Sequence, residues 1–427
     1  MRKSDYRLNL KKDEKGIINI LNSDAYIEST PLHKIKNIYL IDHVQDKLHE
    51  LLNSFLNGGF SSKGFIFYPL IKGISKNNKV KIRGLSRILN YLNSKNYNFS
   101  NSIIELKKAN KINSKNFAVI VSSIYNDFSK IKKGKTKIVV KKKCNIINFS
   151  KYKKSDGSLI KPLKDLKKFA DENLKQYVSG FYLHGSFSTL DYIKGWSDVD
   201  TLLIIKKDTI NSPERLLKLR DLLYISRKFF YNIDPLQHHG FMIITEYDLE
   251  YYCQTYFPIE IFKYSKSFFM NDAAIKIKTR NCKIESINSF FFFVNYFRTI
   301  KQKKSFDPYD LKFLLHIVTL FPTVYLQAKG KHMYKKFSFN MAKKDFEKNI
   351  WASINTVSSL RKKWVIPNNF PLTGIISIIN PLLAYQINSR YWGIFHNISK
   401  INNIDTKNLI SNMHGLSEKA LKRIKAL

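Results

Sequence analysis

The sequence predicts an α+β protein in which a domain with a small sheet lies between two mostly helical regions. Two short apolar runs, residues 177–184 and 201–205, are rich in the β-branched and aromatic residues that favour buried strands. The chain before and after them instead shows apolar residues at helical spacing. These observations predict a mixed sheet with helices at the centre, a helical bundle at the C-terminus and a mostly helical N-terminal region.

The length of the chain predicts more than one domain. At 427 residues, 44% of them hydrophobic, the chain is long enough to build two or three cores. We expect an N-terminal region of unknown role over residues 1–150, a catalytic domain over residues 151–265 and a helical C-terminal domain over residues 266–427.

The N-terminal region carries two helical patterns and one basic segment. Apolar residues recur at helical spacing over residues 41–55, before Gly58 and Gly59, and again over residues 85–92 after Gly84. Residues 130–143 are rich in lysine, and we expect them to form a solvated strand or linker.

The first strand of the central domain leads into a turn that suits an anion. A helix is expected over residues 162–177, and the strand over residues 177–184 runs directly into Gly185 and Ser186. Glycine allows a close backbone approach that a Cβ would prevent, and the segment after Ser186 can open a helix whose N-terminus attracts negative charge. The turn therefore predicts a phosphate-binding site, most simply for a triphosphate.

The second strand begins with two carboxylates. Asp198 and Asp200 precede the apolar residues 201–205, and residues i and i+2 of a strand point to the same face. We expect their Cβ atoms about 6.6 Å apart, which is two strand rises of about 3.3 Å. Two like charges at a strand end repel each other, and a hard cation relieves that conflict. Carboxylates with few other ligands suit Mg²⁺, which takes its remaining ligands from water and substrate phosphates.

The two halves together resemble the signature of the DNA polymerase β-like nucleotidyltransferase superfamily. That signature is an apolar residue, Gly-Ser, a spacer of about this length and Asp-x-Asp flanked by apolar residues. In this chain it reads Leu183-His184-Gly185-Ser186, an eleven-residue spacer, and Asp198-Val199-Asp200. The wording of the spacer is most similar to the prokaryotic minimal and antibiotic nucleotidyltransferases, and the resemblance covers about residues 160–250.

The resemblance implies a polymerase β-like core and a reaction that moves a nucleoside monophosphate from an NTP to a hydroxyl group and releases pyrophosphate. It implies that Asp198 and Asp200 hold two Mg²⁺ ions and that Ser186 contacts the nucleotide phosphates. We assign Gly185 and Ser197 to the same nucleotide-binding site.

A third acidic residue usually completes the site in that family, and its candidate in this chain is Asp234. Pro235 argues against this choice, because proline occupies strand starts and edges whereas the family's acid usually lies inside a strand. If Asp234 lies outside the sheet, His238 or His239 comes closer to the metals, and a neutral imidazole can serve as base or ligand.

We accordingly assign four catalytic residues, Asp198, Asp200, Asp234 and His239, and we assign the three aspartates as metal ligands. The choice between Asp234 and a histidine as the third group stays open at this point.

The sequence after Thr245 is helical in pattern. Four apolar segments, residues 290–297, 311–325, 337–351 and 375–395, are separated by proline and glycine residues. A helical domain after the catalytic core is similar to the arrangement in antibiotic nucleotidyltransferases, where it closes the cleft over the acceptor. Lys335, Lys336 and Ser338 are then candidate phosphate contacts from that side, with a solvated lysine pair as the alternative.

The charge of the chain bears on its partners. There are 73 basic and 33 acidic residues, a net charge of +40, and such a field attracts nucleic acid and polyphosphates. Most of the basic residues are lysine, which an AT-rich genome also produces, and arginine, the residue that clamps phosphates bidentately, is sparse. Nucleic acid is therefore one partner to consider beside the NTP and a hydroxyl acceptor of unknown identity.

Other features predict a cytoplasmic protein. The three cysteines, Cys144, Cys253 and Cys282, are far apart in sequence and lack a metal-binding spacing, which suits a reducing compartment. Residues 1–12 contain no apolar run of the kind found in secretory signals. The apolar stretches at residues 290–297 and 375–387 are too short or too interrupted to span a bilayer, so no membrane span is expected.

The expected function is Mg²⁺-dependent transfer of a nucleoside monophosphate to a hydroxyl of a small molecule or a protein. An RNA or tRNA nucleotidyltransferase is the first alternative, favoured by the net charge. A nucleotide-binding or antitoxin-like module without turnover is the second, favoured by the uncertain third acid.

Overall fold

The computed structural model describes residues 31–58, 76–108, 113–141, 144–237, 239–269, 274–303, 306–365, 368–396 and 404–425. Over these residues the protein is mixed α+β, as the sequence predicts, with a mostly helical chain around a small mixed sheet. The expectations for residues 1–12, for Gly59 and for His238 lie outside the described residues.

In the described part of the chain before β1, four α-helices precede the sheet. They are α1 (Asn37–Asn57), α2 (Lys76–Ser94), α3 (Ser100–Lys108) and α4 (Ser114–Lys130). Helix α1 ends at Gly58, whose φ of 40° lies in the left-handed region that glycine enters without steric cost. Helix α2 starts well before its predicted position and continues through Gly84, because its buried leucines and isoleucines pack on the other helices and outweigh the low helix propensity of one glycine.

The strands form two sheets. They are β1 (Thr136–Lys141), β2 (Asn145–Ile146), β3 (Val178–His184), β4 (Asp200–Ile205), β5 (Met242–Thr245), β6 (Lys266–Ser267) and β7 (Ile275–Arg280). The central sheet has the order β2-β6-β3-β4-β5, in which β3 and β4 are antiparallel and β4 and β5 are parallel. The basic segment predicted as strand or linker forms β1, which pairs antiparallel with β7.

The central sheet is covered on both faces. Leu203 and Ile205 of β4 belong to the core shared with the N-terminal helices, whereas Leu202 and Ile204 belong to a separate cluster on the opposite face. Because successive strand residues point to opposite faces, a strand buried on both sides has a continuous apolar sequence, and this is the pattern that predicted β4.

Four helices accompany this sheet. They are α5 (Gly157–Asn173), α6 (Gly185–Thr189), α7 (Lys207–Asn211) and α8 (Pro213–Tyr231). The cap of α8 is as its sequence predicts, since the Ser212 hydroxyl accepts a hydrogen bond of 3.3 Å from the backbone N–H of Arg215. Helix α5 lies several residues earlier than predicted, and the chain after Asn173 turns to enter β3.

Among the described residues after β7, seven α-helices form the C-terminal part. They are α9 (Lys283–Ile300), α10 (Pro308–Ala328), α11 (Lys335–Lys343), α12 (Lys348–Leu360), α13 (Thr373–Ile379), α14 (Pro381–Phe395) and α15 (Thr406–Lys425). The apolar segments at residues 337–351 and 375–395 are each divided between two helices. In the second case the break falls at Asn380, whose side chain accepts from the N–H of Leu383 and caps α14.

Helix α10 is the one helix in the described part of the chain that is long and apolar enough to cross a membrane. In the structure 83% of its apolar window is buried inside the protein. The helix therefore forms the centre of the bundle. It was not among the apolar stretches considered as possible membrane spans from the sequence.

One hydrophobic cluster extends across residue 150, and the predicted domain boundaries stay a prediction. One cluster contains Leu48 and Phe55 of α1 together with Leu163 of α5 and Leu203 of β4, so the N-terminal helices and the sheet share a core across residue 150. A second cluster belongs to the bundle. Strands β6 and β7 lie after residue 265, and the helical part begins at α9.

Arg280 at the end of β7 joins the N-terminal helices to the bundle. Its guanidinium donates to Gln45 at 3.0 Å and to Asp46 at 2.8 Å, both on α1, and also pairs with Glu285 on α9. Because arginine offers several donors in one plane, a single buried side chain holds two parts of the chain together.

Candidate functional site

Asp198, Asp200 and His239 converge at the start of β4. The Nε2 atom of His239 lies 3.1 Å from Oδ2 of Asp198 and 3.2 Å from Oδ1 of Asp200. One ligand atom from each of the three side chains lies within 4.8 Å of the others, so the group could hold a metal ion. The two predicted carboxylates therefore do point to one place, and a histidine from the loop before β5 joins them.

Gln237 fastens the loop that carries His239 to the backbone next to Asp198. Its side-chain oxygen accepts from the N–H of Val199 at 3.0 Å, and its amide nitrogen donates to the carbonyl oxygens of Val199 at 3.2 Å and His239 at 3.0 Å. Gln237 is fully buried, so these bonds are shielded from water. This residue was not predicted from the sequence, because a lone glutamine belongs to no recognisable motif.

The backbone also orients the imidazole of His239. Its Nδ1 lies 3.0 Å from the carbonyl oxygen of Gly240, and a carbonyl can only accept, so this bond requires the proton on Nδ1. In the neutral ring Nε2 then carries the lone pair that faces Asp198 and Asp200. Metal-binding histidines are oriented in this way by a partner at the second ring nitrogen.

The carboxylates control the charge of His239. Burial lowers the pKa of the imidazole, but the hydrogen bonds and charges of Asp198 and Asp200 outweigh it and hold the pKa well above its usual value. The imidazolium thus neutralises the two carboxylates when no cation is bound. A bound cation would displace that proton.

Gly185 makes room for Asp200. Its φ is +67°, which side-chain-bearing residues rarely adopt, and a Cβ at this position would collide with the carboxylate of Asp200. The register of the sheet sets this approach, since His184 at the end of β3 pairs with Asp200 at the start of β4. The glycine predicted from the motif is therefore required for two independent reasons.

The two serines predicted to bind the nucleotide have different environments. Ser186 is half-buried in the first turn of α6, next to Gly185. Ser197 is buried, and its hydroxyl accepts a hydrogen bond of 2.9 Å from the backbone N–H of Ile193. Ser197 thus shapes the turn before Asp198, and a contact between its hydroxyl and a nucleotide stays a prediction, as does that of Ser186.

Asp234 forms an ion pair with another part of the chain, and its role as the third metal ligand stays a prediction. Its carboxylate accepts from the N–H of Leu236 at 3.0 Å and forms an ion pair with Lys312 of α10. Both side chains are almost completely buried, and burial raises the pKa of Asp234 to about 6 although Lys312 opposes the shift. Asp234 lies in the turn after α8, outside the sheet, as Pro235 suggested, and His239 takes its place beside the other two aspartates.

His184 lies behind the site. It is buried, its ring stands edge-on to Phe257 at 4.9 Å, and its Nε2 has no hydrogen-bond partner among the described residues. Burial lowers its pKa, so the ring is neutral at pH 7. The neutral ring adds no positive charge beside Asp200.

The bundle contributes two cationic residues to the same region. Burial and the neighbouring Arg361 lower the pKa of Lys335 to about 8, although the carboxylates of Asp198 and Asp200 oppose the shift. Burial also lowers the pKa of Arg361, whose Nε is buried without a hydrogen-bond partner in the described part of the chain. Lys336, by contrast, is exposed and pairs with Asp191 at 3.0 Å.

Aromatic contacts fix the bundle against the site. Trp196, two residues before Asp198, belongs to the core of the bundle and meets Trp364 edge-on at 5.3 Å. On the other side of the site, Tyr334, next to Lys335, stacks on Tyr264 at 4.8 Å. The loop that carries Asp198 and the helix that carries Lys335 are therefore held in one arrangement by buried rings.

Comparison with known proteins adds no relative. The chain matches no family model, no curated protein and no solved structure. The function therefore has to be inferred from the side chains and their arrangement.

Proposed function

We propose that the protein is a Mg²⁺-dependent nucleotidyltransferase that transfers a nucleoside monophosphate from an NTP to a hydroxyl of a small molecule or a protein and releases pyrophosphate. The observation that carries the proposal is the convergence of Asp198, Asp200 and His239 beside the turn at Gly185. The fold proposed for residues 157–245 is the polymerase β-like core, supported by an antiparallel β3-β4 pair that carries the motif and by a parallel β5.

The side chains of the site fit a divalent cation. Asp198 and Asp200 offer hard carboxylate oxygens, and His239 presents Nε2 because Gly240 holds the proton on Nδ1. Bound by these residues, Mg²⁺ would supply charge neutralisation for the triphosphate and for the transferred phosphoryl group.

The turn at the start of α6 is placed to hold phosphate oxygens. Gly185 has no Cβ, and the first N–H groups of a helix have no partner within the helix. Ser186 adds a half-buried hydroxyl to these donors. The same turn touches the carboxylate of Asp200, so an anion bound there is close to the groups that would hold the cation.

Lys335 and Arg361 would complete the triphosphate site from the bundle. Both are partly removed from water. Lys335 interacts electrostatically with Asp198 and Asp200, Arg361 interacts with Asp191, and the Nε of Arg361 is buried without a hydrogen-bond partner among the described contacts. A triphosphate would give both cations a further anionic partner and would bring the bundle into the binding site, so the bundle is also the part of the chain that would select the acceptor.

His239 is the residue placed to receive the acceptor proton if it does not hold the cation. Asp234 cannot serve in this way while it is paired with Lys312. Without a cation, Nε2 of His239 carries a proton, because Asp198 and Asp200 hold the pKa of the imidazole well above its usual value. A cation held by the two carboxylates would free the lone pair of Nε2, which could then accept the acceptor proton.

The proposal is tested with labelled NTPs and a cell extract from which RNA, protein and small molecules are separated after incubation. We expect label in protein or in a small molecule, with Mg²⁺-dependent pyrophosphate release that the double variant Asp198→Ala/Asp200→Ala loses. Asp165→Ala, which removes an exposed carboxylate from α5, is the matched control and should keep the parental rate. Parental pyrophosphate release by the double variant would refute the assignment.

A nucleotide-binding module without turnover is the second candidate. The ion pair of Asp234 with Lys312 favours it, because the site then has two carboxylates where three are usual for the proposed chemistry. Mn²⁺ binding, measured by electron paramagnetic resonance, and pyrophosphate release, measured on the same protein, together separate the two candidates. Tight Mn²⁺ and NTP binding without pyrophosphate release with any extract would support the module.

A further inference from the structure

Two of the three cysteines lie together in the structure although they are far apart in the sequence. Tyr252 forms an isolated parallel bridge to β7, in which its N–H donates to Lys278 at 2.7 Å and its carbonyl oxygen accepts from the N–H of Arg280 at 3.0 Å. Cys253, the next residue, is thereby placed beside the end of β7, and Cys282 lies just after that end. Both side chains are buried, and the thiol of Cys253 donates a hydrogen bond to the sulfur of Cys282.

The surroundings of Cys282 favour its thiolate. It occupies the N-cap position of α9, and the first N–H groups of a helix attract negative charge. The hydrogen bond from Cys253 lowers the pKa of the Cys282 thiol below its ordinary value, although burial opposes the shift, and His332 adds to the lowering. The Nε2 atom of His332 lies 3.4 Å from the Sγ of Cys282. Cys282 is also 4% exposed whereas Cys253 is 0% exposed, so a small oxidant meets Cys282 first.

Cys253, by contrast, is held as a thiol. Burial raises the pKa of its thiol well above the ordinary value, and the hydrogen bond to Cys282 adds to this shift. Its Sγ also lies within 4.8 Å of carboxylate oxygens of Asp46 and Glu285, whose charges disfavour a second thiolate. A thiolate that accepts from a neighbouring thiol is the arrangement in which a sulfenic acid on the first sulfur is resolved by the second.

We propose that Cys282 and Cys253 form a reversible disulfide when hydrogen peroxide oxidises the protein. The Cys282 thiolate attacks one peroxide oxygen, the O–O bond breaks and hydroxide departs, which gives a sulfenic acid on Cys282. The sulfur of Cys253 then attacks the sulfur of Cys282, and the S–O bond breaks while the thiol proton leaves with the hydroxyl group as water. The two sulfurs lose two electrons in total, and the peroxide gains them. In a reducing compartment such a disulfide is transient, and a dithiol reductant restores both thiols.

A metal ion is the competing occupant of this region, since ligand atoms of Asp46, Cys253 and Glu285 lie close enough together to hold one. Arg280 argues against it. Its guanidinium donates to Asp46 at 2.8 Å and forms an ion pair with Glu285, so the two carboxylates already have a buried cation. A metal would have to displace that guanidinium, whereas a disulfide needs only the two sulfurs.

The test counts the thiols of the full chain after treatment with hydrogen peroxide. The protein is unfolded in an alkylating reagent, digested without reductant and analysed by mass spectrometry. We expect the alkylated thiols to fall from three to one, which is Cys144, and we expect a peptide pair joined through Cys253 and Cys282. Treatment with dithiothreitol should restore all three thiols.

Three variants locate the chemistry. Cys144→Ser changes the third cysteine, whose Sγ lies 3.4 Å from the carbonyl oxygen of Phe262, and is the matched control that should form the same disulfide. Cys253→Ser should stop at a sulfenic acid on Cys282 that dimedone traps, and Cys282→Ser should form no disulfide. If a serine variant fails to fold, the linked peptides from the parent still decide.

Three results would overturn the proposal. They are three alkylated thiols after peroxide treatment, a disulfide that includes Cys144 or joins two chains, and bound zinc that protects both thiols until a chelator removes it. The Asp198→Ala/Asp200→Ala protein should form the disulfide as the parent does, so this inference and the proposed nucleotidyl transfer succeed or fail separately.

Discussion

Lys312 of the bundle and Asp234 of the central domain form a buried ion pair directly behind the site. The two side chains are 0% and 1% exposed, and the ring of Trp196 lies 5.8 Å from the ammonium group. The carboxylate that the sequence suggested as a metal ligand thus holds the bundle against the part of the chain that carries the central sheet. We therefore expect loss of this ion pair to lower the stability of the fold more than it lowers the affinity for a metal ion.

Lys312→Met should destabilise the protein by about 3 to 5 kcal/mol, because it leaves a buried carboxylate without its partner. Urea unfolding followed by tryptophan fluorescence measures this change. The double variant Asp234→Leu/Lys312→Met should recover most of the loss, since neither charge is then buried alone. If Lys312→Met unfolds at the parental urea concentration, the pair has no structural role.

The pair also predicts a difference in pH dependence between the parent and Asp234→Asn. Burial raises the pKa of Asp234 to about 6 from an ordinary value of 3.8, so between these values the folded state binds more protons at this group than the unfolded state. The contribution of Asp234 to stability therefore falls as pH rises from about 4 to about 6. Asp234→Asn should lack this component, and equal slopes for both proteins in urea titrations across that window would contradict it.

His239→Gln should weaken Mn²⁺ binding by about tenfold or more, because it removes the nitrogen that faces both carboxylates. Electron paramagnetic resonance of free Mn²⁺ gives the affinity. His414→Gln, the same substitution on α15, is the control and should bind as the parent does. If His239→Gln instead keeps Mn²⁺ affinity and flattens the pH profile of the rate, His239 receives the acceptor proton and does not hold the metal.

Gly185→Ala should lose Mn²⁺ binding and should also destabilise the fold by about 1 to 2 kcal/mol. An alanine at φ +67° is strained, and its Cβ would push the carboxylate of Asp200 out of the site. Gly84→Ala is the matched control. This glycine lies inside α2 with open space around it, so alanine there should leave stability unchanged or raise it by about 1 kcal/mol. Full metal affinity in Gly185→Ala would remove the proposed role of the turn.

Lys335 should make NTP affinity depend on pH. With its pKa lowered to about 8, the side chain is charged at pH 7 and neutral at pH 9, so the Kd for an NTP should rise as pH increases through about 8. Equilibrium binding of a fluorescent NTP at several pH values measures this. Lys335→Arg should bind equally well at pH 7 and pH 9, because arginine stays charged. Lys344→Gln, which removes an exposed lysine at the end of α11, should keep the parental pH profile.

Local sequence predicted the elements that depend on neighbouring residues. The strand β4, the serine cap of α8 and the stop of α1 at Gly58 follow from side chains a few positions apart. The convergence of Asp198 and Asp200 was also predictable, because a two-residue period places both on one side of the chain. The break between α11 and α12 was missed, since apolar spacing alone does not record where one helix ends and the next begins. The break between α13 and α14 falls directly before Pro381, one of the prolines that separate the apolar segments in the sequence.

Contacts between distant parts of the chain were beyond sequence reasoning. Lys312 pairs with Asp234 across 78 positions of sequence. The charge of Asp198 affects the pKa of Lys335, although the two residues lie in distant parts of the chain. No spacing rule relates such residues, because their proximity is set by the packing of Trp196 and the aromatic residues of the bundle.

Strand period, backbone freedom and apolar spacing act over a few neighbouring residues, so the two carboxylates, the glycine turn and the α+β character could be predicted from the sequence. The histidine that joins the two carboxylates could not, because it depends on contacts between distant segments. A buried lysine pairs with the carboxylate of Asp234, and Gln237 and Gly240 hold the loop and imidazole of His239 beside both aspartates.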